Sequence, residues 1–346
     1  MRKSFAYFAK RIALIVTALL IGLLLYFCGQ LILAKNRVDD VALQVQRLPV
    51  ATNPSASQRA DRIKSWNRIS QTSNAPPENT PLASIWRILK TKADAGDAYS
   101  SCRLGMELLR CSLHDKFEIK AAERNEKRRE QASGNPNATE RDWERINGLQ
   151  NKYETNTAVC SGFQNTENLS SDQYMLKAAL LGHEGAMQFV ATMPSAEILM
   201  SPGNLDHLIA RREYAAKFLN ELAYRGNQSA LGELAFIHAG ESWWNRLGLK
   251  DMPSISYSDA AVYALAMDLL HQQHIAADPS MKPFSMLNFM SLGKHLSASE
   301  LEVAEAKANQ LVANFPPSST ETESRKALIK NKPFGADSRV FMCRAQ

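Results

Sequence analysis

Residues 12–34 form an unbroken run of 23 uncharged positions dominated by Leu, Ile, Ala and Val. At 1.5 Å per residue, a helix of that length extends about 35 Å, enough to cross a hydrocarbon core of about 30 Å. The run predicts a single transmembrane signal anchor. A cleaved signal peptide is the competing reading. Its apolar region is usually shorter and ends at small residues, whereas bulky Ile32 holds the −3 position before Lys35. A lipoprotein reading of Cys28 meets Tyr26 and Phe27 where small residues are required.

Beyond the anchor the pattern changes twice. Residues 35–81 read as a tether, with Pro49, Pro54, Pro76, Pro77 and Pro81 set among Ser, Asn, Thr and Gln. A short helix around Arg59–Ser70 interrupts it, because Ile63, Trp66 and Ile69 fall at helical spacing. From Leu82 onward nearly everything reads as helix, and no Asn-Gly hairpin turn lies between alternating β-branched runs.

Within the helical region one pattern recurs three times. Ala93 to Gly105, Ala179 to Ala191 and Ala223 to Ala235 each read A-x-x-G-(D/H/N)-x-x-(A/S)-x-x-x-(L/V)-(G/A). The invariant elements are Gly96, Gly182 and Gly226, with Ala179, Ala186, Ala223 and Ala230 around them. A helix that stops at a glycine needing positive φ, followed by a short polar N-cap, explains the sequence of residue types. Small residues beyond the cap allow two helices to approach closely. The pattern resembles the Sel-like repeat (SLR) family, relatives of tetratricopeptide repeats, in which antiparallel helix pairs stack into a superhelix. Tyr174-Met175-Leu176-Lys177-Ala178-Ala179 looks like that family's aromatic-x-x-Lys-Ala-Ala helix end. The resemblance implies an extended groove lined by one helix of each pair, with contacts at Tyr99, Arg103, Gln188 and Glu233. The third copy carries a longer loop, and a fourth unit around Asp259–Leu270 is half recognisable.

Gly182 and Gly226 are 44 residues apart, whereas Gly96 and Gly182 are 86 apart. The surplus matches the highly charged segment 112–159, broken only at Gly134-Asn135-Pro136-Asn137 and followed by Thr139 as an N-cap. Trp143, Ile146, Leu149 and Tyr153 lie on one face of its return arm. This predicts a long helical hairpin inserted into the first repeat, either a solvated ornament or an arm that reaches a partner.

Charge sharpens the address. The formal net charge is +6, but Arg2, Lys3, Lys10 and Arg11 precede the anchor; without them 37 Lys/Arg face 35 Asp/Glu. No basic field remains for nucleic acid. The basic tail, residues 1–11, favours a cytoplasmic N-terminus. The remainder would then lie in the periplasm of a Gram-negative cell, an oxidising space.

Catalytic signatures are scarce. HExxH, GxSxG, the P-loop and GxGxxG are all missing. His271 and His274 stand three apart without a third ligand nearby, so no metal is expected, and His183 fills a capping slot. Ser291-Leu292-Gly293-Lys294 matches S-x-x-K, without the companion boxes of penicillin-recognising enzymes. Some cysteine-rich SLR proteins are associated with penicillin binding. The loop Glu241–Ser254 offers Trp243, Trp244 and Arg246, residue types frequent at binding hot spots; plugging the gap between the third and fourth units is the favoured explanation of the two tryptophans.

Outside the membrane there are four cysteines. Cys102 and Cys111, nine apart on one helix, are separated by about 180° and 13 Å and cannot bond. The midpoint of Cys111 and Cys160, 135.5, falls inside the Gly134–Asn137 turn. An antiparallel hairpin therefore returns Cys160 beside Cys111, leaving Cys102 for Cys343.

The sequence thus predicts an all-α chain: basic tail (1–11), anchor (12–34), tether (35–81), SLR/TPR-like solenoid of helix pairs (82–315, hairpin 112–159) and C-terminal tail (316–346). The expected role is an inner-membrane, single-pass scaffold for protein partners in the cell envelope, held in the membrane by residues 12–34, with no catalytic residue, cofactor or nucleic acid. Two other classes stay open: a cell-wall or β-lactam-acting enzyme using Ser291 and Lys294, and a structural tether without ligand.

Overall fold

The computed structural model describes residues 21, 25, 28–33, 35–43, 76, 77, 79–192, 204–240, 255–277, 283–315 and 343. Among them all regular structure is helical, with no strand. No described helix is long and apolar enough to cross a membrane, and most of the expected span lies outside the described residues. The expected helix at Arg59–Ser70 also lies outside them.

The first described helix, α1, covers residues 28–33 and 35–43. Its second part was assigned to the tether on composition. It is instead helical, with Val38 and Val41 buried in the main core. Two valines one turn apart are too few to register as a periodic stripe, which is why composition placed them in a linker.

Helix α2 (Leu82–Asp94) buries Leu82, Ile85, Leu89 and Ala93, an apolar stripe at helical spacing. It packs on α3 (Ala98–Leu113), which is buried on every side from Ser100 to Cys111. The chain then runs through a π-helical turn, His114–Glu118, into α4 (Ile119–Ser133) and back along α5 (Glu140–Cys160). Next come α6 (Ser171–Leu180), α7 (Glu184–Ala191), α8 (Asn204–Tyr224), α9 (Gln228–Ala239) and α10 (Tyr257–Ala277). Short α11 (Met286–Phe289), a 3-10 turn (Leu292–Lys294) and α12 (Ala298–Ala313) complete the described elements. Leaving aside the hairpin, α3 packs on α6, and each later helix through α10 packs on its successor; α11 and α12 both pack on α10.

The close approach of α3 and α6 depends on Gly105. A Cβ there would lie 2.8 Å from Met175 Cγ and 2.9 Å from Ser171 O. The equivalent small residues of the later copies, Ala191 and Ala235, are fully buried.

Helices α4 and α5 pack against each other across the turn at residues 134–139. Thr139 caps α5, accepting from Asp142 N (3.3 Å), while Asp142 Oδ2 accepts from Thr139 N (3.0 Å). Its seam is more polar than the apolar face predicted. Ile146 is 6% exposed, but Leu149 is 37% exposed. Asn125 is the buried residue of α4, donating Nδ2 to Ile146 O (3.0 Å). Cys111 and Cys160 close the base with a Cα–Cα distance of 5.3 Å, and Cys102 and Cys343 lie 5.6 Å apart. Both pairs stand at disulfide distance.

Candidate functional site

The three recurring turns share one construction. Gly96, Gly182 and Gly226 have φ of 94°, 91° and 79°. The next residue in each donates its amide five residues back: Asp97 to Lys92 O, His183 to Ala178 O and Asn227 to Leu222 O. Its side chain then caps the following helix, accepting from Ser100, Ala186 and Ala230 amides respectively. Ala179, Ala186, Ala223 and Ala230 are buried beside these turns.

Ion pairs connect successive turns. Lys177 of the second copy reaches Asp94 of the first (3.6 Å), and Arg225 of the third reaches Glu184 of the second (3.2 Å). Burial lowers the Lys177 pKa, and Asp94 opposes that shift. Burial also pushes the Tyr174 phenol up to about 12, with Asp94 adding to it. His183 is the most perturbed cap. Burial pushes its pKa down to about 4, against the attraction of Asp97, and Nδ1 accepts from Ala186 N at 3.4 Å. That bond requires a neutral imidazole.

The expected groove residues have different environments. Tyr99 is half-buried at the start of α3. Arg103 is buried rather than open to a partner. Its guanidinium donates to Pro76 O and, at 2.5 Å, to Pro77 O, and lies 3.4 Å from the Tyr99 hydroxyl. The chain's own incoming segment therefore occupies this contact. Gln188 is half-buried on α7. Glu233, on α9, is half-buried with its pKa raised by burial and held back by the buried Arg211. Helix α8 separates α7 from α9, so these positions do not converge. Trp243, Trp244 and Arg246 lie outside the described residues.

Ser291 adopts a left-handed conformation (φ 53°), and Lys294 is exposed in the following 3-10 turn. Their contact is between backbone atoms, Lys294 N donating to Ser291 O at 3.1 Å. His271 meets the edge of Phe284 at 6.2 Å, while the His274 side chain is outside the described set. Among the described residues no three His, Cys, Asp or Glu side chains gather to hold a metal ion.

Two features carried no sequence signal. Lys35 and Arg37 of α1 pair with Glu213 (3.7 Å) and Asp206 (2.8 Å) of α8. A buried polar chain runs along α3 into the hairpin base: Arg103 to Glu107 (3.8 Å), Glu107 to Arg110 (3.3 Å), and Arg110 to Asn156 (2.5 Å). Sequence spacing marks such residues as helix-face charges; only the tertiary fold pairs them. No protein family, known protein or solved structure matches the chain.

Proposed function

We propose that the chain is a membrane-anchored helical-repeat scaffold of the Sel-like kind, holding a protein partner at the outer face of the inner membrane. The row of three equivalent turns, bridged by Lys177–Asp94 and Arg225–Glu184, carries this reading. Repeating units that bury a face only against their neighbours stack into a solenoid, whose long surface suits protein recognition. The anchor is supported by a change of cover along α1. Leu31, Ile32 and Leu33 are 50–62% exposed in a helix, whereas Val38 and Val41 are buried against protein. Uncovered apolar helix before residue 34 fits lipid contact. The two cysteine pairs suit an oxidising compartment.

With Arg103 engaged internally, the surfaces left for a partner are the hairpin arm and the faces around Gln188. Photo-crosslinkers at Leu149 and Gln188 in intact membranes test this. A discrete, saturable adduct with one envelope protein from either position supports the scaffold. Its absence from both, with the chain correctly inserted, contradicts it.

A further inference from the structure

We propose that the cleft where α8, α10 and α12 meet binds a free amino acid with an apolar side chain, its ammonium held by Asp259 and its carboxylate by Lys307. The inference is independent of the scaffold reading and needs no protein partner. It starts from a cavity of about 270 Å³ lined from all three helices. That is room for roughly nine waters at about 30 Å³ each, a size suited to one small molecule.

The two charges define the ligand. Asp259 stands in the first turn of α10, and Lys307 stands on α12. Both line the cleft, yet they form no ion pair with each other. Opposite charges that share a cavity without closing on one another suit a ligand bearing one charge of each sign, which strands neither. A simple cation would meet Lys307, and a simple anion would meet Asp259. An uncharged sugar or peptide segment would answer neither.

The rest of the lining divides the same way. Burial raises the Tyr263 pKa, with Tyr224 and Asp259 adding to the rise, so two phenols and a carboxylate lie close together. Aromatic rings beside a carboxylate favour an ammonium. Asn220 of α8 donates Nδ2 to Ala216 O at 2.8 Å, which leaves its Oδ1 as a further acceptor. On the α12 wall, Gln310 follows Lys307 by one turn and Asn314 follows a turn later, offering amide donors for a carboxylate. The apolar part of the lining is Ala223, 2% exposed, with Val262 and Leu311, which pack against the main core. These three take an apolar side chain out of water.

Calorimetric titration of the full chain in lipid nanodiscs with L-leucine, L-methionine and L-phenylalanine tests this, and hydrogen exchange locates the contact. At least one of the three should bind saturably, protecting peptides that cover residues 218–226, 257–265 and 305–315. The matching amine and the matching carboxylic acid, each lacking one charge of the amino acid that binds, should bind about tenfold more weakly. Asp259→Asn should weaken binding about tenfold, and Lys307→Gln, at an exposed position, about threefold. The two analogues probe the charges in the unaltered chain, so the outcome does not hang on how either variant folds. Absence of saturable binding by all three, equal affinity for an analogue, unchanged affinity in both variants, or protection elsewhere in the chain overturns the proposal.

Discussion

The guanidinium of Arg37 lies 2.8 Å from the carboxylate of Asp206, joining the helix that follows the apolar run to the third pair of the helical region. Asp206 is buried, and burial raises its pKa, with Asp172 adding to the rise and Arg37 restraining it. The pair, together with Val38 and Val41, fixes α1 against the domain rather than leaving the domain on a free tether.

Removing one partner strands a buried carboxylate. Arg37→Ala should destabilise the docked helix by about 1–2 kcal/mol, moderated by the half-exposed position of Arg37. Adding Asp206→Asn to that variant should restore most of the loss. Limited proteolysis near residue 43, quantified across the double-mutant cycle, checks this. Additive losses would show that the two residues are not coupled.

His183 gives the second turn an acid-sensitive cap. Its folded pKa of about 4 lies below the ordinary 6.5, so its contribution is complete above 6.5 and is lost as pH falls toward 4. The full excursion corresponds to about 3 kcal/mol. His183→Asn keeps the cap in the form Asn227 uses and should remove this part of the acid lability. Urea melts at neutral and mildly acidic pH provide the comparison; equal acid sensitivity in both proteins would count against it.

Gly105 sets the contact between the first and second helix pairs. Gly105→Ala places a Cβ within 3 Å of Met175 Cγ and Ser171 O, forcing α3 and α6 apart at a cost of roughly 1–3 kcal/mol. Gly134→Ala, in the hairpin turn with no atom nearer than 3.9 Å, should change stability by less than about 0.5 kcal/mol. Thermal melts of the two variants distinguish a packing contact from a general effect of losing glycine.

Local signals in the sequence marked the turns at Gly96, Gly182 and Gly226, because a glycine at positive φ and a following cap are properties of adjacent residues. The hairpin and its cysteines were legible for a similar reason: a single turn cluster and equal arm lengths bring Cys160 back to Cys111. The docking of α1 was not legible, since two valines and two cations in a polar stretch resemble a linker. Arg103 was misplaced on an open groove because its partners are the carbonyls of Pro76 and Pro77, and main-chain atoms leave no trace in residue type. Asn125 and Asn156 carry no signal in the sequence, although each is buried in the hairpin seam. Their role depends on which elements meet, and that is decided by tertiary packing.

The proposed anchored helical domain on the oxidising side of a membrane is tested most directly by the state of its cysteines. Intact cells are alkylated without reductant, and the chain is digested and mapped by mass spectrometry. The account predicts two linked peptides, Cys111 with Cys160 and Cys102 with Cys343, while Cys28 remains unpaired. In the chain-entropy description the first closure alone is worth about 4 kcal/mol, so its loss on reduction should also lower the melting temperature. A peptide joining Cys102 to Cys160, or alkylation of all four cysteines outside the apolar run, would contradict the pairing and the compartment together.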